Sequence, residues 1–172
     1  MRTTSVLSVL ELAILGLLRQ NARSGYELRK VFATASIGDS PGSIYPALRR
    51  LRAGGLIEAA ASGSRGKETF QLTASGRRSL REALSRRLTE DEIRRDPEAV
   101  IFRLPFVELE LGRAGLTTFL NDYAALCADR ASELRREGTP VADHHASVYA
   151  ARARWARSFR AAKTPKNPGA GK

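Results

Sequence analysis

Seven leucines and isoleucines crowd the twelve positions from Leu7 to Leu18: Leu7, Leu10, Leu12, Ile14, Leu15, Leu17 and Leu18. Their spacing predicts a helix over "LSVLELAILGLLRQ" that is apolar on more than one side, so it is buried in a core or between subunits. "NARSGYELRKVFATA" predicts a second helix, capped by Ser24, with Tyr26, Leu28, Val31 and Phe32 as apolar contacts. "SIGDSPG" is a turn cluster. In "PGSIYPALRRLRAGGLI" Ser43 is the expected N-cap, and Pro46 falls in the first turn, where its missing N–H breaks no helical bond. Ile44, Ala47, Leu48 and Leu51 gather on one side of this third helix; Tyr45, Pro46, Arg49, Arg50 and Arg52 lie on the flanks and the opposite side. Gly54 and Gly55 end it.

"LIEAAAS", "GSRGK" and "ETFQLT" read as a strand, a basic Gly-rich turn carrying Arg65 and Lys67, and a returning strand. "TASGRRSLREALSRRL" is again helical, with Leu80, Leu84 and Leu88 four apart. The remainder is helical. Thr89 and Glu92 have capping-box spacing, Asp96 and Pro97 form a cap and first-turn pair, and Pro105 should kink or divide its segment. A long helix places Phe119, Tyr123, Leu126, Arg130 and Leu134 near one face, and Gly138 and Pro140 end it. The last helix, "ASVYAARARWARSFRAA", carries a stripe of Val148, Ala151, Trp155, Phe159 and Ala162.

The predicted class is mainly α with a small β-hairpin: a winged helix-turn-helix at 1–88, a helical dimerisation domain at 89–163, and a tail at 164–172 with the composition of disorder.

Charge sharpens this picture. Among 172 residues the net charge is +11. Lys and Arg exceed Asp and Glu by eight up to Glu90 and by three beyond it. Such a field attracts polyanions, nucleic acid before an anionic membrane surface, and the first half of the chain carries most of it. No apolar stretch reaches the roughly 18 residues of a membrane span. Cys127 is the single cysteine, which excludes an intrachain disulfide and makes the cytoplasm the expected compartment. It is expected to be a small core residue rather than a redox sensor. His144 and His145 are adjacent, point about 100° apart on a helix and have no cysteine nearby, so no metal site is expected. No phosphate-binding Gly-rich loop, Gly-x-Ser-x-Gly or histidine-paired nucleophile is present, so neither catalysis nor a cofactor is expected.

An arginine-rich helix of this kind suits the major groove, where a guanidinium neutralises phosphate or pairs bidentately with guanine. A winged helix can also serve as a protein-interaction or RNA-binding module, and that reading stays open on the residues alone.

The motifs resemble the PadR-type transcriptional regulators. Gly25, Tyr26, Glu27 and Leu28 match the start of that family's second helix. Gly42, Ser43, Ile44, Tyr45, Pro46, Leu48, Leu51, Gly55, Leu56 and Ile57 match its recognition helix and exit, and Leu72, Thr73 and Gly76 match the end of its wing. The resemblance covers roughly residues 7 to 88. It departs at "GKETF", where Thr69 takes an aromatic place, and at Arg52 and Ala53, where an acidic residue is usual.

The resemblance implies a repressor that binds double-stranded DNA as a homodimer on a palindromic operator, with a small-molecule effector as a candidate partner. The DNA-facing candidates are Ser24, Tyr26, Ser43, Tyr45, Pro46, Arg49, Arg50, Arg65 and Lys67. The dimerisation candidates are Leu10, Ile14, Leu126, Trp155 and Phe159.

Overall fold

A computed structural model describes residues 7–35, 43–60 and 68–159. The turn cluster at 36–42, the wing tip with Arg65 and Lys67, Ala162 and the tail at 164–172 lie outside the described residues. The elements run α1 (Val9–Gln20), β1 (Arg23–Ser24), α2 (Gly25–Ala35), α3 (Ile44–Ala53), β2 (Ile57–Ala60), β3 (Thr69–Leu72), α4 (Ala74–Ser85), α5 (Glu90–Arg95), α6 (Pro97–Ile101), α7 (Leu104–Glu137) and α8 (Pro140–Ser158). They form two compact units, one of Met1–Arg86 with Asp96–Leu111 and one of Arg87–Arg95 with Gly112–Lys172.

In the first unit the apolar pattern of α1 is used on every side. Leu12 to Leu18 are all buried within this chain. Each enclosed leucine or isoleucine stabilises by about 1.5–3 kcal/mol, so α1 is the central post of the unit. A reciprocal capping box fixes its start: Glu11 N–H donates to Ser8 Oγ at 3.2 Å, and Ser8 N–H donates to Glu11 Oε2 at 3.0 Å. At Gly16 the post is pared to backbone. A Cβ there would stand 2.5 Å from the Phe106 ring. Phe106 packs edge-on against Phe102 at 5.6 Å, and Phe102 meets Phe32 of α2 at 6.3 Å. The first stretch of α7 therefore belongs to the winged-helix core. A boundary at Leu88 leaves this contribution out, because Asp96–Leu111 is distant in sequence from the helix that it covers.

Glu110 extends that dependence. Its side chain is 0% exposed, it is ion-paired with Arg19 of α1, and it stands 3.6 Å from Arg77 of α4. Arg81 donates to its backbone carbonyl at 2.6 Å. Three arginines on two other helices thus converge on one enclosed acidic residue.

The sheet is antiparallel with order β1-β3-β2. Ala59 faces Phe70 across the hairpin, and Arg23 faces Phe70 from the other edge. The two-residue β1 has no counterpart in the sequence pattern, because it is too short to show alternation. The turn from α3 into the sheet carries the tightest packing. Gly55 takes φ +69°. Thr73 Oγ1 donates to the carbonyls of Gly55 at 2.8 Å and Leu56 at 3.1 Å, and accepts from Gly76 N–H at 2.9 Å as the cap of α4. A Cβ on Gly76 would fall 2.0 Å from the Leu56 carbonyl oxygen. The Leu72-Thr73-x-x-Gly76 pattern is therefore a clamp that joins the exit of α3 to the start of α4.

In the second unit, Thr89 and Glu92 form the expected capping box. Pro105, which belongs to the first unit, divides its segment as expected, with α6 ending at Ile101 and Pro105 in the first turn of α7. Gly112 (φ 68°, ψ −169°) interrupts α7. The last helix starts six residues earlier than the sequence pattern suggested. Pro140 was read as a terminator, but Thr139 caps Ala142 N–H at 3.2 Å and proline is favoured in a first turn.

The expected stripe on α8 is also corrected. The buried positions are Ala142, Ala146, Ala153 and Ala156, with Tyr149 packed beside Leu134 and its hydroxyl donating to the Ile93 carbonyl at 3.2 Å. Trp155 is 40% exposed and Ala151 is exposed. The packed face is made of alanines because close helix contact favours small side chains, which carry little hydropathy contrast.

Gly76→Ala is expected to lower stability by about 1–3 kcal/mol through overpacking, read as a lower denaturation midpoint at unchanged m-value. An unaltered midpoint would refute the clamp.

Candidate nucleic-acid interface

The α3 helix is anchored by Ile44, Ala47, Leu48 and Leu51, all buried. This leaves one flank to solvent. There a cleft of about 480 Å³ is lined by Ser24, Gly25 and Tyr26 at the start of α2, by Tyr45, Leu48, Arg49 and Arg52 of α3, and by Glu68 and Phe70 beside the wing strand. Tyr26 is 56% and Tyr45 47% exposed, high values for rings in a folded domain. The Arg29 guanidinium lies 5.3 Å from the centre of the Tyr26 ring. Gly25 makes the approach of Tyr45 possible, since a Cβ there would sit 2.8 Å from Tyr45 Cε1. Leu28, the last residue of the Gly-Tyr-Glu-Leu motif, is fully buried.

The predicted residues divide. Tyr26, Tyr45 and Arg49 come together on the open flank, with Pro46 half-buried on α3. Ser24 lines the cleft but is only 7% exposed, and its hydroxyl is engaged in a capping box. It accepts from Glu27 N–H at 3.3 Å and donates to Glu27 Oε2 at 2.8 Å. Ser43 stands at the N-cap position but in helical backbone (φ −76°, ψ −19°), with no side-chain capping bond. The expected cap at the start of α3 is therefore absent, and Ser43 enters through a tight first turn.

The arginines of α3 are not equivalent. Arg50 Nε donates to Glu11 Oε1 at 2.8 Å, and Arg52 Nη1 to Glu68 Oε1 at 2.8 Å. Arg49 has no ion-pair partner among the described residues. Neither acidic partner was identified from the sequence, because pairs 39 and 16 residues apart leave no periodic signal. Burial of the Glu11 carboxyl works to raise its pKa, but the Ser8 backbone N–H and the Arg50 guanidinium outweigh that and hold it below the usual carboxylate range.

Residues 14–82 match the family described as the transcriptional regulator PadR-like family. Over those residues the chain is similar to the PadR-like regulators. The matched residues span α1 to α4 and so include the cleft, while the helices of the second unit lie beyond them.

Among solved structures, Bacillus subtilis PadR in complex with operator DNA is 24% identical over 88% of this chain and 97% of that one, with a TM-score of 0.44. A PadR-like transcriptional regulator from Bacillus cereus is 24% identical over 84% of this chain and 87% of that one, with a TM-score of 0.43. No curated protein matches the chain.

The dimerisation candidates also divide. Ile14 is fully enclosed within the first unit, and Leu10 is half-buried there. Leu126 is half-buried beside Ile93 and Arg94 of α5. Trp155 and Phe159 pair at 5.3 Å between ring centres, with Trp155 open to solvent. Cys127 is fully buried, and burial pushes its thiol pKa up against the opposing effects of a Tyr123 hydrogen bond and Arg152. Among the described residues no cluster of three metal-binding side chains occurs, and no helix is long and apolar enough to cross a membrane.

Glu11 gives a pH test. Its folded pKa is depressed, so its contribution is present above the ordinary carboxylate range and is lost as pH falls through the depressed value. Glu11→Gln is expected to destabilise by about 0.5–1 kcal/mol at neutral pH, the scale of a partly exposed pair. The gap from wild type should close in acid. A gap that stayed constant with pH would remove the assigned role of the carboxylate.

Proposed function

We propose that this PadR-like chain is a homodimeric repressor that binds double-stranded DNA sequence-specifically on a palindromic operator and is released by a small-molecule effector. The observation that carries the DNA reading is the open flank of α3, where Tyr45 and Arg49 stand beside Tyr26 on a helix held from behind by four buried apolar residues. Tyr45 offers a hydroxyl to phosphate, and Arg49 offers a fork that matches the O6 and N7 of guanine. The repressing sign and the effector rest on the resemblance to PadR-type regulators alone.

The dimer reading no longer draws on α1, which its own chain covers. It draws on α8, where the Trp155–Phe159 pair leaves a large apolar ring in water. A two-fold pairing through such a surface would place two recognition helices about 34 Å apart, one turn of DNA.

Binding of duplex DNA is expected to weaken linearly in log K against log salt, with a slope near −0.9 for each of about 6–10 neutralised phosphates. Arg49→Ala is expected to cost about 1–3 kcal/mol on the preferred site and to relax discrimination at one position per half-site. A flat salt response, or RNA competing as well as duplex DNA, would overturn the DNA reading.

Trp155→Ala is expected to weaken self-association by about 2 kcal/mol or more, the scale of an aromatic hot spot. Light scattering across a concentration series reads it. A wild-type chain that stays monomeric at micromolar concentration refutes the dimer.

A further inference from the structure

The sequence gives α3 three arginines, yet two of them already hold carboxylates. The Arg50 pair has a structural task, because Glu11 also closes the capping box of α1. The Arg52 pair takes part in no helix cap among the described residues. Both of its side chains are about half exposed, at 54% and 53%. A pair so open to water contributes little to stability.

Its position is informative. Arg52 and Glu68 both line the cleft that holds Tyr26, Tyr45 and Arg49. Glu68 also immediately precedes β3, so it joins the base of the wing to the helix. An acidic residue on a surface that must approach a polyanion opposes binding unless it serves a purpose.

We infer that Glu68 is a specificity-determining residue: it occupies the Arg52 guanidinium and so withdraws one positive charge from sequence-independent contact with the DNA backbone. This rests on the DNA-binding reading above and deepens it. Phosphate contacts add affinity for every sequence alike, whereas base contacts add it for one. An arginine engaged by Glu68 therefore lowers non-specific binding more than it lowers specific binding. Arg49 is left as the α3 arginine with an unengaged fork among the described residues.

Glu68→Gln keeps the shape of the side chain and removes its charge. The full-length variant is compared with wild type on a duplex of random sequence and on the duplex that wild type selects from a random pool. On the random duplex, the magnitude of the salt slope is expected to rise by about 0.9, one additional phosphate, and affinity by roughly fivefold near 0.15 M salt. The ratio of selected to random affinity should fall.

The same substitution in an Arg52→Ala background separates the pair from a general charge effect. The gain should largely vanish there. An equal gain in both backgrounds overturns the inference, as does an unchanged slope and ratio in Glu68→Gln when wild type binds with a steep salt dependence. Wild type that binds no duplex at any salt overturns the DNA reading itself, and the inference with it. Circular dichroism confirms that each variant is folded, and Arg52→Ala alone is expected to bind the random duplex within about twofold of wild type.

Discussion

Seven consecutive buried residues, Leu12 to Leu18, leave α1 without a face that water can tolerate. Much of the first unit is a covering for that helix. Three kinds of structure supply it: helices α3 and α4, strand β3, and the Phe106 ring seated where Gly16 has no side chain. Removing the last of these from water requires chain from beyond residue 96, so the winged helix is not closed by its own contiguous sequence. Helix α3 inherits its rigidity from this arrangement. Its buried side packs toward α1, and its exit is held by the Leu56 carbonyl, which accepts from both the backbone and the hydroxyl of Thr73.

Electrostatics are distributed by the same packing. A net charge of +11 suggests a surface free to bind any polyanion. Folding engages much of that charge. Arg19 and Arg77 face the enclosed carboxylate of Glu110, Arg50 holds Glu11, Arg52 holds Glu68, and Arg87 holds Asp122 at 2.7 Å. What a partner meets is therefore a selected set of cations rather than the total. The cleft beside α3 combines two exposed tyrosines with Arg49, which has no ion-pair partner among the described residues, and this favours contacts of defined geometry over a diffuse positive field.

Several features are legible in the residues alone. Periodicity located α1 to α4 and the hairpin, because apolar positions at 3.6 and 2 residues are a local consequence of burying one side. Caps at Thr89 and Asp96 were readable because the donor and acceptor lie three residues apart. The family motifs were readable too, and the structure supplies their reasons: Gly25 makes room for Tyr45, and Gly76 makes room for the Leu56 carbonyl. The alanine face of α8 was missed, since small residues carry little hydropathy contrast. The start of that helix was missed because proline marks an end and a beginning equally well.

The chain's order of elements, its charge and the motif of α3 were determined by sequence, since each depends on neighbours within a few residues. Tertiary structure alone decided which arginines remain open, which helix covers Gly16, and where Trp155 points relative to the core of its own unit. Those outcomes join residues such as Arg19 and Glu110, 91 positions apart, or Arg50 and Glu11, 39 apart. No local pattern encodes such pairings, because their energy exists only once the intervening chain has folded and brought the two charges together.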